Sequence, residues 1–314
     1  MFIVKNRNIF YLLSVVLIAA SLVLSVVWGL KFGIDFTGGS LLEISYSPPT
    51  TPSAAEVSGA LEVAGITDAS VRPTGETGYL IRTPFLSQDE YGAVKEALTS
   101  GGAWSYEEKR FDSVGPVIGN ELQSKSIWAI LLVLVVIALF IAFAFRKVSH
   151  PVSSWKYGFV ALICLAHDVV VPVGAFAVLG HFLGAEVDTL FVTAILVVLG
   201  FSVHDTIVVF DRVRENLKKN TEKNIREPFE ETVGHSVHQT FARSVNTSLT
   251  VVVTLLALYF FGPEVTRYFV LTLIIGIIAG TYSSIFVGSP LLVTLEKIQK
   301  KPADAPVQNK KNKR

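Results

Sequence analysis

Six apolar runs of spanning length dominate this chain, near residues 9–30, 126–145, 157–180, 189–210, 244–261 and 267–295. A helix needs about 20 residues to cross the hydrocarbon core of a bilayer. The mean hydropathy of +0.51 and the 51% hydrophobic content exceed what soluble domains reach, which excludes a soluble enzyme. The first run follows Lys5 and Arg7, as a signal peptide would. It is longer than an apolar signal core and no small-residue cleavage site follows, so it reads as a retained anchor.

Formal net charge is +1 across 314 residues, a balance that predicts no nucleic-acid partner. The distribution of charge says more than its total. Lys5 and Arg7 precede the first run; Arg146, Lys147 and Lys156 separate the second from the third; Arg212, Arg214, Lys218, Lys219, Lys223 and Arg226 follow the fourth. The alternate loops, 181–188 and 262–266, hold Glu186, Asp188 and Glu264 and neither Lys nor Arg. Cytoplasmic loops carry the basic residues, so both termini are expected in the cytoplasm and residues 31–125 outside.

That outer segment is polar enough to fold in water. LLEISY (41–46), ASVRP (69–73), YLIRTP (79–84) and AWSYEEKRFDSV (103–114) read as strands. Residues 53–65 and 87–102 read as helices, each opening with a capping box, Ser53 with Glu56 and Ser87 with Glu90. The order β-α-β-β-α-β is the ferredoxin-like arrangement. The expected protein is an α-helical polytopic membrane protein. Six transmembrane helices carry a small ferredoxin-like α+β extracytoplasmic domain between the first and second. Its parts are 1–30, the outer domain 31–125, a five-helix bundle 126–298 with a cytoplasmic loop 211–243, and a basic, disordered tail 299–314.

Within the apolar runs, ionisable residues mark candidate chemistry. A charge at the centre of a spanning helix costs roughly 2.5–3.5 kcal/mol and persists where it faces a protein interior or a water-filled path. Asp205 precedes Asp211, at the cytoplasmic edge of the fourth span, by six residues, or roughly 9 Å of helix. The fifth run reaches spanning length only if it starts near residue 241, which brings Arg243 to comparable depth. The two could form a proton-coupling pair across neighbouring helices or a static ion pair, and Arg243 could instead snorkel to the headgroups. His167 and Asp168 lie near the midplane of the third span. Adjacent helical residues do not share a face, so the two are not expected at one site, and Asp168 is either pathway-facing or structural. His204 can relay protons or donate one interhelical hydrogen bond.

Other features are plainer. Gly276, Gly280, Ser284 and Gly288 recur every four residues and form a seam for close helix approach, within the chain or against a partner. FGIDFTGGS (32–40), with Gly33, Asp35, Gly38 and Gly39, reads as a linker from the first helix to the outer domain. His235 and His238 lack a third ligand, so no metal is expected. Cys164 is the lone cysteine, and no GxxxxGK or GxGxxG offers a cofactor site.

FGIDFTGGS after a first span, together with HDTIVVFDRVREN at the end of a fourth, resembles the SecF side of the SecD/SecF family of bacterial protein-export membrane proteins, within the resistance–nodulation–division superfamily. The likeness covers nearly the whole chain except the tail. It implies a multi-pass protein of the bacterial cytoplasmic membrane that pairs with SecD. The pair would work with the SecYEG channel and often YajC, and use the proton gradient to draw preproteins outward after SecA has pushed them through. The family's intramembrane aspartate matches Asp205 and its arginine in the next span matches Arg243; His204 stands where the motif often has asparagine. The resemblance implies no enzyme activity and no cofactor. Two rivals are a half-unit of a proton-driven efflux transporter of the same superfamily and a passive membrane scaffold.

Overall fold

The alternation of apolar and polar residues in 41–46 makes one face of a strand, and the rest of the outer segment is built on it. The computed structural model describes residues 2–47, 51–146 and 152–300, with only the backbone at 299 and 300. In chain order the helices and strands are α1 (Phe2–Lys5), α2 (Arg7–Val27), α3 (Ile34–Thr37), β1 (Gly39–Tyr46), α4 (Ala54–Val63), β2 (Ser70–Thr74), β3 (Gly78–Thr83), α5 (Gln88–Thr99) and β4 (Tyr106–Val114). There follow α6 (Pro116–Ala144), α7 (Ser154–Leu183), α8 (Thr189–Glu222), α9 (Phe229–Phe261), α10 (Arg267–Tyr282), a π-helical segment (Ser283–Gly288) and α11 (Ser289–Lys300). The basic tail expected from residue 299 lies, beyond Lys300, outside the described residues.

Two units emerge. One comprises residues 31–128 and 186–189, the other 1–30, 129–185 and 190–314. In the first, the four strands pair antiparallel in the order β2-β3-β1-β4, as the β-α-β-β-α-β reading requires. Leu42, Ile44 and Tyr46 of β1 and Tyr79 and Ile81 of β3 alternate onto one face. There they meet Val57 and Leu61 of α4 and Val94 and Leu98 of α5. The buried tyrosine hydroxyls are both satisfied, Tyr46 donating to the Leu98 carbonyl (3.1 Å) and Tyr79 to the Pro52 carbonyl (2.6 Å). Both capping boxes form as expected.

Among the described residues, six helical stretches are long and apolar enough to cross a membrane. The first five are α2, α6, α7, α8 and α9, and the sixth runs continuously through α10, the π-helical segment and into α11. The segment read as a cytoplasmic loop, 211–243, is different: α8 continues to Glu222 and α9 begins at Phe229. Two sequence patterns explain this. Val209, Phe210 and Val213 on one helix, and Phe229, Val233 and Val237 on the other, are buried at helical spacing in one cluster. The outward charges pair along the helix, Glu215 with Arg212 (2.7 Å) and Lys219 (2.6 Å). Phe145 and Tyr157 stack at 5.2 Å in the same cluster, and Phe210 meets both edge-on.

The small-residue seam of the last span closes within the chain. A Cβ on Gly276 would lie 2.7 Å from Val198 Cγ1, one on Gly280 2.9 Å from Ser202 Cβ, and one on Gly288 3.0 Å from Cys164 Sγ. Val198 is β-branched and cannot swing aside.

Two outcomes follow from these contacts. Gly276→Ala should destabilise the helical unit by about 1–3 kcal/mol in thermal melts of purified protein, whereas Gly200→Ala, which meets open space, should not. The backbone N–H groups of Ser53 and Ser87, and then their hydroxyls, hold the Glu56 and Glu90 carboxyls below the ordinary range. A lowered folded value stabilises fully above the unfolded one and is lost as pH falls through the folded value. Amide protection in the first turns of α4 and α5 should therefore hold from pH 8 to 6 and fade only below about pH 4.3.

Candidate functional site

Three polar side chains, Ser202, Asp205 and Thr206, share one buried face of α8, because residues three and four apart are neighbours on a helix. Asp168 of α7 is fully buried against them. Its Oδ2 accepts hydrogen bonds from Ser202 Oγ and, at 2.9 Å, from Ser283 Oγ at the start of the π-helical segment. Its Oδ1 lies 2.9 Å from His167 Nδ1. The expectation that His167 and Asp168 would not meet at one site is corrected here: both are buried, and the imidazole reaches the neighbouring carboxylate directly. Thr206 Oγ1 and Ser284 Oγ, 2.8 Å apart, extend the polar seam. Pro172 lies one turn beyond Asp168, where it lacks the N–H that would bond the Asp168 carbonyl.

Asp205 is buried too, but it is held thinly. Its Oδ2 has Ser248 Oγ of α9 at 3.3 Å and Thr281 Oγ1 of α10 at 3.4 Å, both long for an O–H···O bond. Each hydroxyl has a single proton. Thr281 has a shorter acceptor in the Ile277 carbonyl at 2.9 Å, and the two hydroxyls lie 2.6 Å from each other. Among the described residues no ion pair reaches Asp205. A carboxylate in this setting can take up or release a proton without breaking a salt bridge. Asp168, with three close donors, is a structural anchor by comparison.

Of the alternatives that depth left open, the Asp205–Arg243 pair is not formed among the described residues. Ser244 and Ser248, one turn apart on α9, are both buried and both face Asp205, with Ser248 Oγ at 3.3 Å. Arg243 is rotated about 100° from Ser244 and is exposed. The length argument that drew Arg243 inward also fails, since α9 begins at Phe229. His204 is exposed on α8; among the described residues it shares no hydrogen bond with Asp205. His235 Nδ1 instead pairs with Glu227 Oε1 at 2.7 Å. The hydroxyls of Ser202, Ser248, Thr281 and Ser283 were not anticipated. Their signal was available: Ser202 stands one turn before Asp205 in the sequence, and Ser244 and Ser248 repeat at helical spacing.

The glycine motif lies between α2 and β1, as expected, and is a shaped element. Residues 34–37 make one helical turn, with Ile34 and Phe36 buried. Gly38 (φ +72°) and Gly39 (φ +122°) are left-handed, and a Cβ on either would come within 2.8 Å of backbone, at Pro116 and Thr83. Gly33 N donates to the Val187 carbonyl (2.8 Å) and Val187 N to the Lys31 carbonyl (2.7 Å). Asp35 Oδ2 accepts from Thr189 N (2.9 Å) and from Thr189 Oγ1.

The unequal hydrogen bonding of the two carboxylates gives a stability contrast. Asp168→Leu strands the buried Ser202 hydroxyl and His167 Nδ1, at about 1–3 kcal/mol each, while Ser283 keeps the Gly280 carbonyl at 3.1 Å, and should lower the melting temperature of the purified protein sharply. Asp205→Leu should lower it far less.

Residues 93–298 match the family described as "Protein export membrane protein SecD/SecF, C-terminal", and residues 26–50 match the SecD/SecF GG motif. The protein translocase subunit SecF of Thermobaculum terrenum is 47% identical over 305 residues, spanning 94% of this chain and 93% of that protein. The SecF of Anaerolinea thermophila is 39% identical over 295 residues, spanning 94% of each. The crystal structure of SecDF, a translocon-associated membrane protein from Thermus thermophilus, superposes with a TM-score of 0.78 at 31% identity over 94% of this chain. This chain spans 38% of that longer one. The glycine motif, the helical bundle and these relatives together mean that the chain belongs to the SecD/SecF family of protein-export membrane proteins, as a SecF-type translocase subunit.

Proposed function

We propose that this protein works with SecD in the bacterial cytoplasmic membrane to promote preprotein export driven by the proton gradient. It would act after SecA-driven passage through SecYEG, with YajC as a further partner. The observation that carries this reading is Asp205: a buried carboxylate on α8 that is met by hydroxyls of α9 and α10, with Ser248 at 3.3 Å and Thr281 at 3.4 Å, and by no ion pair among the described residues. The basic residues flanking alternate spans support cytoplasmic termini and an outer location for residues 31–125.

Protonation of Asp205 removes the charge that Ser248 and Thr281 face. The balance between the two arrangements of α8 against α9 and α10 then shifts, since a switch needs an interaction that differs between protonation states. Arg243, exposed on this chain, enters the mechanism as a group presented to the partner subunit. A guanidinium at a spanning helix surface needs a counter-charge or water from outside the chain, and a second membrane subunit supplies both.

The test is export in cells depleted of their own SecF and supplied with this protein and its SecD at matched levels. Wild type should restore proton-gradient-dependent export, while Asp205→Asn should leave it at the level of the empty vector. Arg243→Met should lose export without loss of melting temperature, since its side chain is exposed and makes no ion pair among the described residues. Normal export by Asp205→Asn would sink the proton-coupled reading and leave a passive scaffold.

A further inference from the structure

The short strap that opens the outer unit, residues 31–39, looks in sequence like a tether. In the structure it is fastened to the segment 186–189, which runs directly into α8. Two backbone hydrogen bonds join Lys31 and Gly33 to Val187. Arg82 of β3 pairs with Glu186 at 2.8 Å and donates to the Phe32 carbonyl at 3.1 Å, so one guanidinium grips both segments. The Asp35 carboxylate then meets Thr189, taking both its backbone N–H and its hydroxyl on one oxygen.

Thr189 is the first residue of α8. The first N–H groups of a helix have no partner within it, and the helix dipole places partial positive charge there. A carboxylate supplied from a distant part of the chain answers both. Asp35 lies 154 positions away in sequence, so the cap is a long-range tie and not a local turn. The helix it caps is the one that carries Asp205.

We propose that Asp35 is a positioning residue: it caps the first turn of α8 from the glycine-motif strap and so fixes where the helix that bears the intramembrane carboxylate begins. This deepens the proton-coupled reading and rests on it for the export measurement alone. The two glycines that follow are shaped for the same end, since Gly38 and Gly39 turn the chain sharply into β1 where any side chain would strike backbone. The strap is a fastened element and not the free hinge that glycines suggest.

The experiment compares Asp35→Ala and Asp35→Asn in the full-length chain. Asparagine keeps the acceptor oxygen and caps helices about as well as aspartate, whereas alanine does not. Hydrogen exchange in lipid nanodiscs should be about fivefold faster at the first turn of α8 in Asp35→Ala and near wild type in Asp35→Asn. Exchange in α5 serves as the control for folding. In the export assay with SecD, Asp35→Ala should lose function at matched membrane levels and Asp35→Asn should retain it. Unchanged exchange in Asp35→Ala would overturn the cap. Faster exchange with normal export would overturn its role in positioning. Loss of export in Asp35→Asn with α8 still protected would mean that the charge itself is needed, and would overturn the capping account. The exchange result stands even if Asp205→Asn exports normally, so failure of the cap and failure of proton coupling are told apart.

Discussion

A carboxylate inside a membrane-spanning bundle must be answered by donors from neighbouring helices, because lipid offers none. This chain answers two of them unequally. Asp168 draws in Ser202 from α8, Ser283 from the last span and His167 from its own helix. The two serine contacts lock α7, α8 and the π-helical segment together. Asp205, on the same α8, has two long hydroxyl contacts. The close ligation of the first makes the loose ligation of the second possible: the helices are held in place by Asp168 and the glycine seam, so Asp205 need not contribute to holding them.

The seam works by the same logic at the level of volume. Gly276 and Gly280 bring the backbone of α10 against Val198 and Ser202, at a distance where hydroxyls from α8 and the π-helical segment can reach each other. The π-helical segment begins at Ser283, the residue whose hydroxyl ends on Asp168. Such segments widen the turn and occur where function asks for it. Packing, hydrogen bonding and helix irregularity thus converge on a single layer of the bundle.

The outer unit is simpler in its physics. Alternating side chains build a four-stranded sheet with one face covered by α4 and α5, and two capping boxes set where the helices begin. Its less ordinary part is the strap at residues 31–39, where left-handed glycines, backbone pairing to Val187 and the Arg82–Glu186 ion pair hold a segment that composition alone would leave free.

What the sequence determined by itself was everything that depends on period and composition. The six spans follow from run length, the order of strands and helices from alternation and capping residues, and Asp205 from the cost of a charge in lipid. What it misjudged depended on direction around a helix. Depth left Arg243 either pairing with Asp205 or snorkelling; the rotation of α9 presents Ser244 and Ser248 to Asp205 and leaves Arg243 exposed. The charges after Asp211 suggested a solvated helix end within a cytoplasmic segment, and the buried stripe of Val213, Phe229, Val233 and Val237 carries both helices through that segment. The sharing of one carboxylate by Ser202 and Ser283, and the cap that Asp35 places on Thr189, join residues far apart in the chain. Only the tertiary structure decides such contacts, because they depend on which helix faces meet, and local pattern carries no record of that.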